Sequence, residues 1–128
     1  MESLARGLLA LLAVVNLGFA LWIINDPYQV AEALSLVPAG PDAGAELRAM
    51  YGGLVGGLGW ISLLGVINPT RRLSALWANG WSFAGIGVVR ALACASLQLW
   101  SAQLIYALFE LCAAGICLAL LRGLEKRA

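Results

Sequence analysis

Two ionisable residues stand where ionisable residues are rarely tolerated. Arg90 lies in the middle of one long apolar run and Glu110 in the middle of the next. Within hydrocarbon such side chains face inward, pair with one another, and mark functional sites. Nine Leu, Ile, Val or Phe residues between Leu73 and Leu99 supply roughly −4 kcal/mol of insertion energy, and one central arginine costs roughly +3 kcal/mol. Arg90 therefore needs a partner, and Glu110 is the natural one. The turn between the two runs centres near Trp100, with Arg90 ten residues before it and Glu110 ten after. At helical rise both then lie roughly 11 Å below the helix ends, at matching depth on antiparallel neighbours.

Other polar groups are spaced to reach the same zone. Gln103, Tyr106 and Glu110 share a face by spacings of three and four. Glu46, Arg48 and Tyr51 enter the preceding apolar segment, Arg48 and Tyr51 on one face that continues through Val55 and Gly59 to Ser62. Asn16 is nine residues from the end of the first segment, a depth like that of Arg90, and Asn79 lies three turns before Arg90. Each segment thus owns one polar stripe, and stripes turn away from lipid, which offers no hydrogen-bond partners.

The elements that must position these residues follow from composition. The chain has 128 residues, 62% of them apolar, about 79, with 8 basic, 7 acidic and no His. Four transmembrane helices would use about 80 apolar positions. Charged residues make up 12% and mean hydropathy is +0.87, which excludes a soluble domain, a disordered chain and a disulfide scaffold. A net charge of +1 gives no field to recruit nucleic acid. Cys94, Cys112 and Cys117 lie in apolar runs without a C-x-x-C pair and read as small packing residues. Without His or clustered Cys, no zinc or haem ligand set exists, and no cofactor is implied.

The expectation is an all-α, integral membrane four-helix transmembrane bundle, a single domain over 1–128 with spans near 4–24, 46–67, 73–97 and 102–121. Asn25-Asp26-Pro27 and Asn68-Pro69 stop the first two spans. The first apolar run is longer than a signal-peptide core and lacks a small-x-small cleavage site, Trp22 and Ile23 standing where one is needed, so it reads as a retained helix. Arg6, Arg71, Arg72, Arg122, Lys126 and Arg127 fall on one side of such a bundle, and the other two connections carry no Lys or Arg. By the positive-inside rule both termini are cytoplasmic. The outer loop 25–45 contains an apolar patch, Tyr28 to Val37, before Pro38 and the Pro-Gly pair near Gly40. It suits a short surface helix or a lid equally. Trp60, Trp77, Trp81 and Trp100 read as interfacial anchors.

Gly52-x-x-x-Gly56 and Gly53-x-x-x-Gly57 are overlapping close-packing motifs on two adjacent faces. One face suits packing within the chain, and the other a second protomer.

The string Glu46-x-Arg48-Ala49-x-Tyr51-Gly52-Gly53, with Asn25-Asp26-Pro27, Arg90 and Glu110, resembles a family of small bacterial four-helix membrane proteins known only as a domain of unknown function. The resemblance spans nearly the whole chain. It implies a four-helix integral domain in a bacterial inner (cytoplasmic) membrane and no activity.

Two readings of the polar stripes compete. In one, Arg90, Glu110, Asn16 and Arg48 are a structural clamp. In the other, Asn16, Glu46, Arg48, Tyr51, Arg90, Tyr106 and Glu110 line an outward pocket for a small amphiphile or membrane lipid, Arg48 and Tyr51 pointing in beside Arg90 and Glu110. Spare guanidinium donors would then take a ligand carboxylate or phosphate. The alternatives are an accessory subunit of a larger membrane complex, and a membrane isomerase or hydrolase using Glu110 with Tyr51 or Tyr106. No nucleophile motif, metal set or nucleotide loop supports catalysis, and a channel has few polar groups beyond Ser62 and Asn79 to hydrate its far half.

Overall fold

The computed structural model describes residues 1–34, 36–37, 42–97 and 102–126. The Pro-Gly stretch near Gly40, the turn at Trp100 and Arg127 lie outside the described residues. The described chain is helical without strands: α1 (Glu2–Asn25), α2 (Pro27–Ala33), α3 (Ala43–Leu47), a π-helical segment (Arg48–Leu54), α4 (Val55–Ile67), a 3-10 turn (Pro69–Arg71), α5 (Arg72–Leu97) and α6 (Ala102–Glu125). Three helices are long and apolar enough to cross a membrane: α1, the continuous run Ala43–Ile67, and Gln103–Glu125 in α6. The 26-residue α5 matches them in length but carries Asn79 and Arg90 in its interior.

Local chemistry sets the breaks. Pro27 cannot continue α1 and opens α2 instead, with the Asp26 side chain accepting from the Gln29 N–H at 3.0 Å. Asn68 repeats the device before Pro69, accepting from the Thr70 N–H at 3.0 Å and from the Thr70 hydroxyl at 2.8 Å. The loop helix α2 packs on α1 and α3 and buries Pro27, Val30 and Ala31.

The long helices pack in chain order. α1 lies on α4, α4 on α5, and most extensively α5 on α6. Glycines make the first contact antiparallel and close. Gly52 faces Ile23 and Ile24, Gly56 faces Ala20, Gly59 faces Asn16 and Leu17, and Gly65 faces Leu9 and Ala75. In lipid, burying apolar surface does not drive helices together, so close packing over small residues must. The motif pair is thereby sorted: Gly52 and Gly56 are covered by α1, while Gly57 has nothing within 4 Å. On the other side, Gly80 meets Leu118 and Gly87 meets Leu111 and Glu110, setting the α5–α6 register.

The buried apolar core collects at one end. Ala5, Leu9, Leu12, Ala75, Leu76, Cys117, Leu121 and Leu124 bring the start of α1 and α5 against the finish of α6. This is also the basic end: Arg72 bonds the Gly65 carbonyl at 3.2 Å and pairs with Glu2, joining α1 to α5. Toward the opposite, loop end the packing thins. The π segment packs on α1, α3 and α4 and makes at most glancing contact with α5 or α6. The described long helices turn many large apolar side chains outward, with Leu4, Val14, Leu21, Trp60, Trp77, Trp81, Val89, Leu92, Ile105 and Phe109 all exposed. A chain bearing so continuous an apolar exterior needs lipid around it.

The glycine contacts make a direct prediction. A Cβ on Gly59 would stand 2.8 Å from Leu17 Cγ and 2.9 Å from the Leu17 backbone nitrogen, which cannot swing away. Gly59→Ala should cost about 1–3 kcal/mol through overpacking. Gly57→Ala should be neutral or stabilise by up to about 1 kcal/mol through helix propensity. Thermal unfolding of the two variants in detergent separates them.

Candidate functional site

The α5–α6 register brings Arg90 opposite Glu110. The guanidinium holds the carboxylate with two parallel bonds, Nε to Oε2 at 2.9 Å and Nη2 to Oε1 at 2.8 Å. Its third nitrogen, Nη1, donates to Gln103 Oε1 at 2.8 Å. Gln103 and Glu110 are seven residues apart, two turns on one face of α6, and Tyr106 lies between them. The Arg90 guanidinium carbon sits 5.9 Å from the Tyr106 ring centre, within cation–π range. Three side chains of one helix thus serve a single cation of its neighbour. A bidentate arginine–carboxylate pair is the strongest neutralising arrangement open to an arginine in a low-dielectric setting.

The cluster is not sealed. A third of the Arg90 side chain is open, 33% against 13% for Glu110. Of the guanidinium's five N–H donors, Nε, one on Nη1 and one on Nη2 are used, leaving two. Neither the Tyr51 nor the Tyr106 hydroxyl has a hydrogen-bond partner among the described residues.

Three of the seven residues expected at the site are therefore gathered, Arg90, Tyr106 and Glu110, and Tyr51 lies on the π segment. Three are elsewhere. Arg48 does not point in beside Arg90. Its Nε donates to the Ile24 carbonyl at 2.9 Å and its Nη1 to the Gly44 carbonyl at 3.4 Å. It caps the end of α1, where a cation also meets the negative end of the helix dipole. The reason is the π segment. Its i→i+5 bonding widens the turn, so Arg48 goes with Gly52 to the α1 side and no longer stacks on Tyr51. Glu46 is exposed on α3. Asn16 is not at the depth of Arg90. It packs over Gly59, and one turn on Ser62 accepts from Asn79 Nδ2 at 2.9 Å. Asn16 belongs with this buried tier. Asn79 is eleven residues, about 16 Å at helical rise, from Arg90. In the tier Asn16 Nδ2 and Asn79 Oδ1 lack partners among the described residues.

Two contacts escaped the sequence reading. Spacing puts Gln103 on the stripe, and the structure makes it a direct ligand of Arg90, a role signalled by its two-turn spacing from Glu110. The Arg72–Glu2 tie had a weaker one, both residues opening their helices at the basic end. Among the described residues no His, Cys, Asp or Glu group could hold a metal ion.

Compared with known families, residues 4–121 match the family described as Domain of unknown function (DUF4345). No curated protein matches the chain, and no solved structure does.

Breaking the pair should be costly and breaking it cleanly should not. Glu110→Gln should cost about 3 kcal/mol, the low end for a buried pair because Arg90 is part-open. Arg90→Leu with Glu110→Leu should cost far less than the sum of the single leucine variants, measured as a double-mutant cycle in detergent. Additivity would mean that the two groups do not stabilise one another. Separately, Arg48→Met should cost about 1–2 kcal/mol through the lost charged bond to Ile24, read as a lower unfolding midpoint.

Proposed function

For this chain, which belongs to the family described as Domain of unknown function (DUF4345), we propose a role in binding a small amphiphilic or lipidic molecule. The protein is a four-span bundle of the bacterial inner (cytoplasmic) membrane with both termini in the cytoplasm. α5 is its third span, carried by its pairing with α6. The ligand enters between the α1–α4 and α5–α6 pairs at the loop end, in the outer leaflet. Its head group meets Arg90, Tyr51, Tyr106 and Gln103, and its chain follows the apolar helix walls.

One observation carries this reading: after Glu110 and Gln103 are served, the cluster keeps unused donors and an open third of Arg90. Those donors and that opening are what a ligand head group would use. The scant contact of the π segment with α5 and α6 supports an opening at that end. Both Glu110 oxygens are already held by Arg90, which favours binding over acid–base chemistry at that residue. For a second copy or a larger partner, the Gly53/Gly57 face is the one available, since α1 covers Gly52 and Gly56.

Orientation is supported by five described cations, Arg6, Arg71, Arg72, Arg122 and Lys126, on segment ends that meet at the basic end. A C-terminal alkaline phosphatase fusion should be inactive, and a C-terminal fluorescent protein bright; an active phosphatase would sink the four-span topology. Native mass spectrometry of the purified protein should find a retained lipid-sized adduct, lost in Tyr51→Leu with Tyr106→Leu. Equal adduct in both, or none in either, would return the cluster to a structural clamp.

A further inference from the structure

Building on that ligand-binding reading, we infer that the head group taken at Arg90 is uncharged and presents hydrogen-bond acceptors, as the ester carbonyls of a diacylglycerol or the ring carbonyls of a quinone do. The argument is one of charge and of donor count. Glu110 cancels Arg90 through a bidentate bond, so the cluster has no net charge. Arg48, the other arginine at the loop end, is turned to the Ile24 and Gly44 carbonyls instead. Glu46 is exposed on α3. A phosphate or carboxylate entering here would bring a charge with no counter-charge to meet it, in a medium where an unpaired ion is very costly. It would have to win Arg90 away from Glu110 and leave that carboxylate orphaned instead.

The unused groups point the same way. Two guanidinium N–H groups and the Tyr51 and Tyr106 hydroxyls can all donate. The principal acceptors, the two Glu110 oxygens and Gln103 Oε1, are already engaged by Arg90. A donor-rich, charge-neutral site is complementary to an acceptor without charge.

The experiment uses the full chain in phosphatidylcholine nanodiscs. Dioleoylglycerol, decylubiquinone and dioleoylphosphatidate are titrated separately, and binding is read by native mass spectrometry. At least one uncharged probe should bind about tenfold more tightly than phosphatidate, and Tyr51→Phe with Tyr106→Phe should weaken it about tenfold, the factor expected from one or two lost hydrogen bonds. Because those two variants keep the rings, they preserve packing while removing the hydroxyls. Glu110→Gln, which leaves Arg90 uncancelled, should reverse the preference toward phosphatidate wherever the variant folds. Tighter phosphatidate binding by the unaltered protein overturns the uncharged-ligand inference and leaves the binding role standing. If none of the probes binds above the level of the Arg90→Leu with Glu110→Leu variant, both fall together.

Discussion

An arginine within a membrane-spanning segment must be neutralised by something at its own depth, and that demand organises this protein. Arg90 nearly cancels the apolar gain of its own helix, so α5 depends on its pairing with α6. The pairing is the most extensive in the molecule. It is locked at three levels on one line: Gly80 on Leu118, Gly87 on Leu111, and Arg90 on Glu110 with Gln103. The glycines allow the backbones to approach, and the approach lets a bidentate bond form. Neither works without the other, because a misplaced carboxylate would leave two buried charges instead of one neutral pair.

The second pair of helices is held by different means. α1 meets the π segment and α4 over glycines, Gly52, Gly56, Gly59 and Gly65. At the loop end Arg48 caps α1; at the basic end Arg72 ties α5 to Glu2 and to the Gly65 carbonyl. Between them the Ser62–Asn79 bond links the two pairs. The result is a molecule whose two helical pairs are joined firmly at the basic end and lightly at the loop end. That asymmetry puts the part-open Arg90 cluster where the joining is weakest.

The π segment is the feature that separates the two arginines. Arg48 and Arg90 could both have been drawn into one polar centre, and the spacing of Arg48, Tyr51, Val55, Gly59 and Ser62 invites that arrangement. One widened turn sends Arg48 to the end of α1 and off the face of Tyr51. The cluster that results holds one arginine and its one carboxylate. π-helical turns recur at functional sites because they re-aim side chains without breaking a helix.

Much of this was legible from residue types and spacing. An apolar chain with two interior charges ten residues either side of a turn leaves few arrangements open, and the Arg90–Glu110 pairing follows from depth alone. The cations at segment ends, the stops at Pro27 and Pro69, and the close-packing glycines are local signals of the same kind. What the tertiary structure decided is which way each stripe faces. A spacing of three or four residues predicts a shared face only on a regular α-helix, and Arg48 sits on a segment that is not one. Depth counted from helix ends likewise misplaced Asn16, because helices of unequal length do not share a common zero. Its level is fixed by the glycine contacts with α4, which pack Asn16 over Gly59 and so leave it near Ser62 and Asn79, far from Arg90. Charges must be matched wherever they fall, so sequence can pair them; the phase of a helix and the register between helices depend on contacts that no single segment contains.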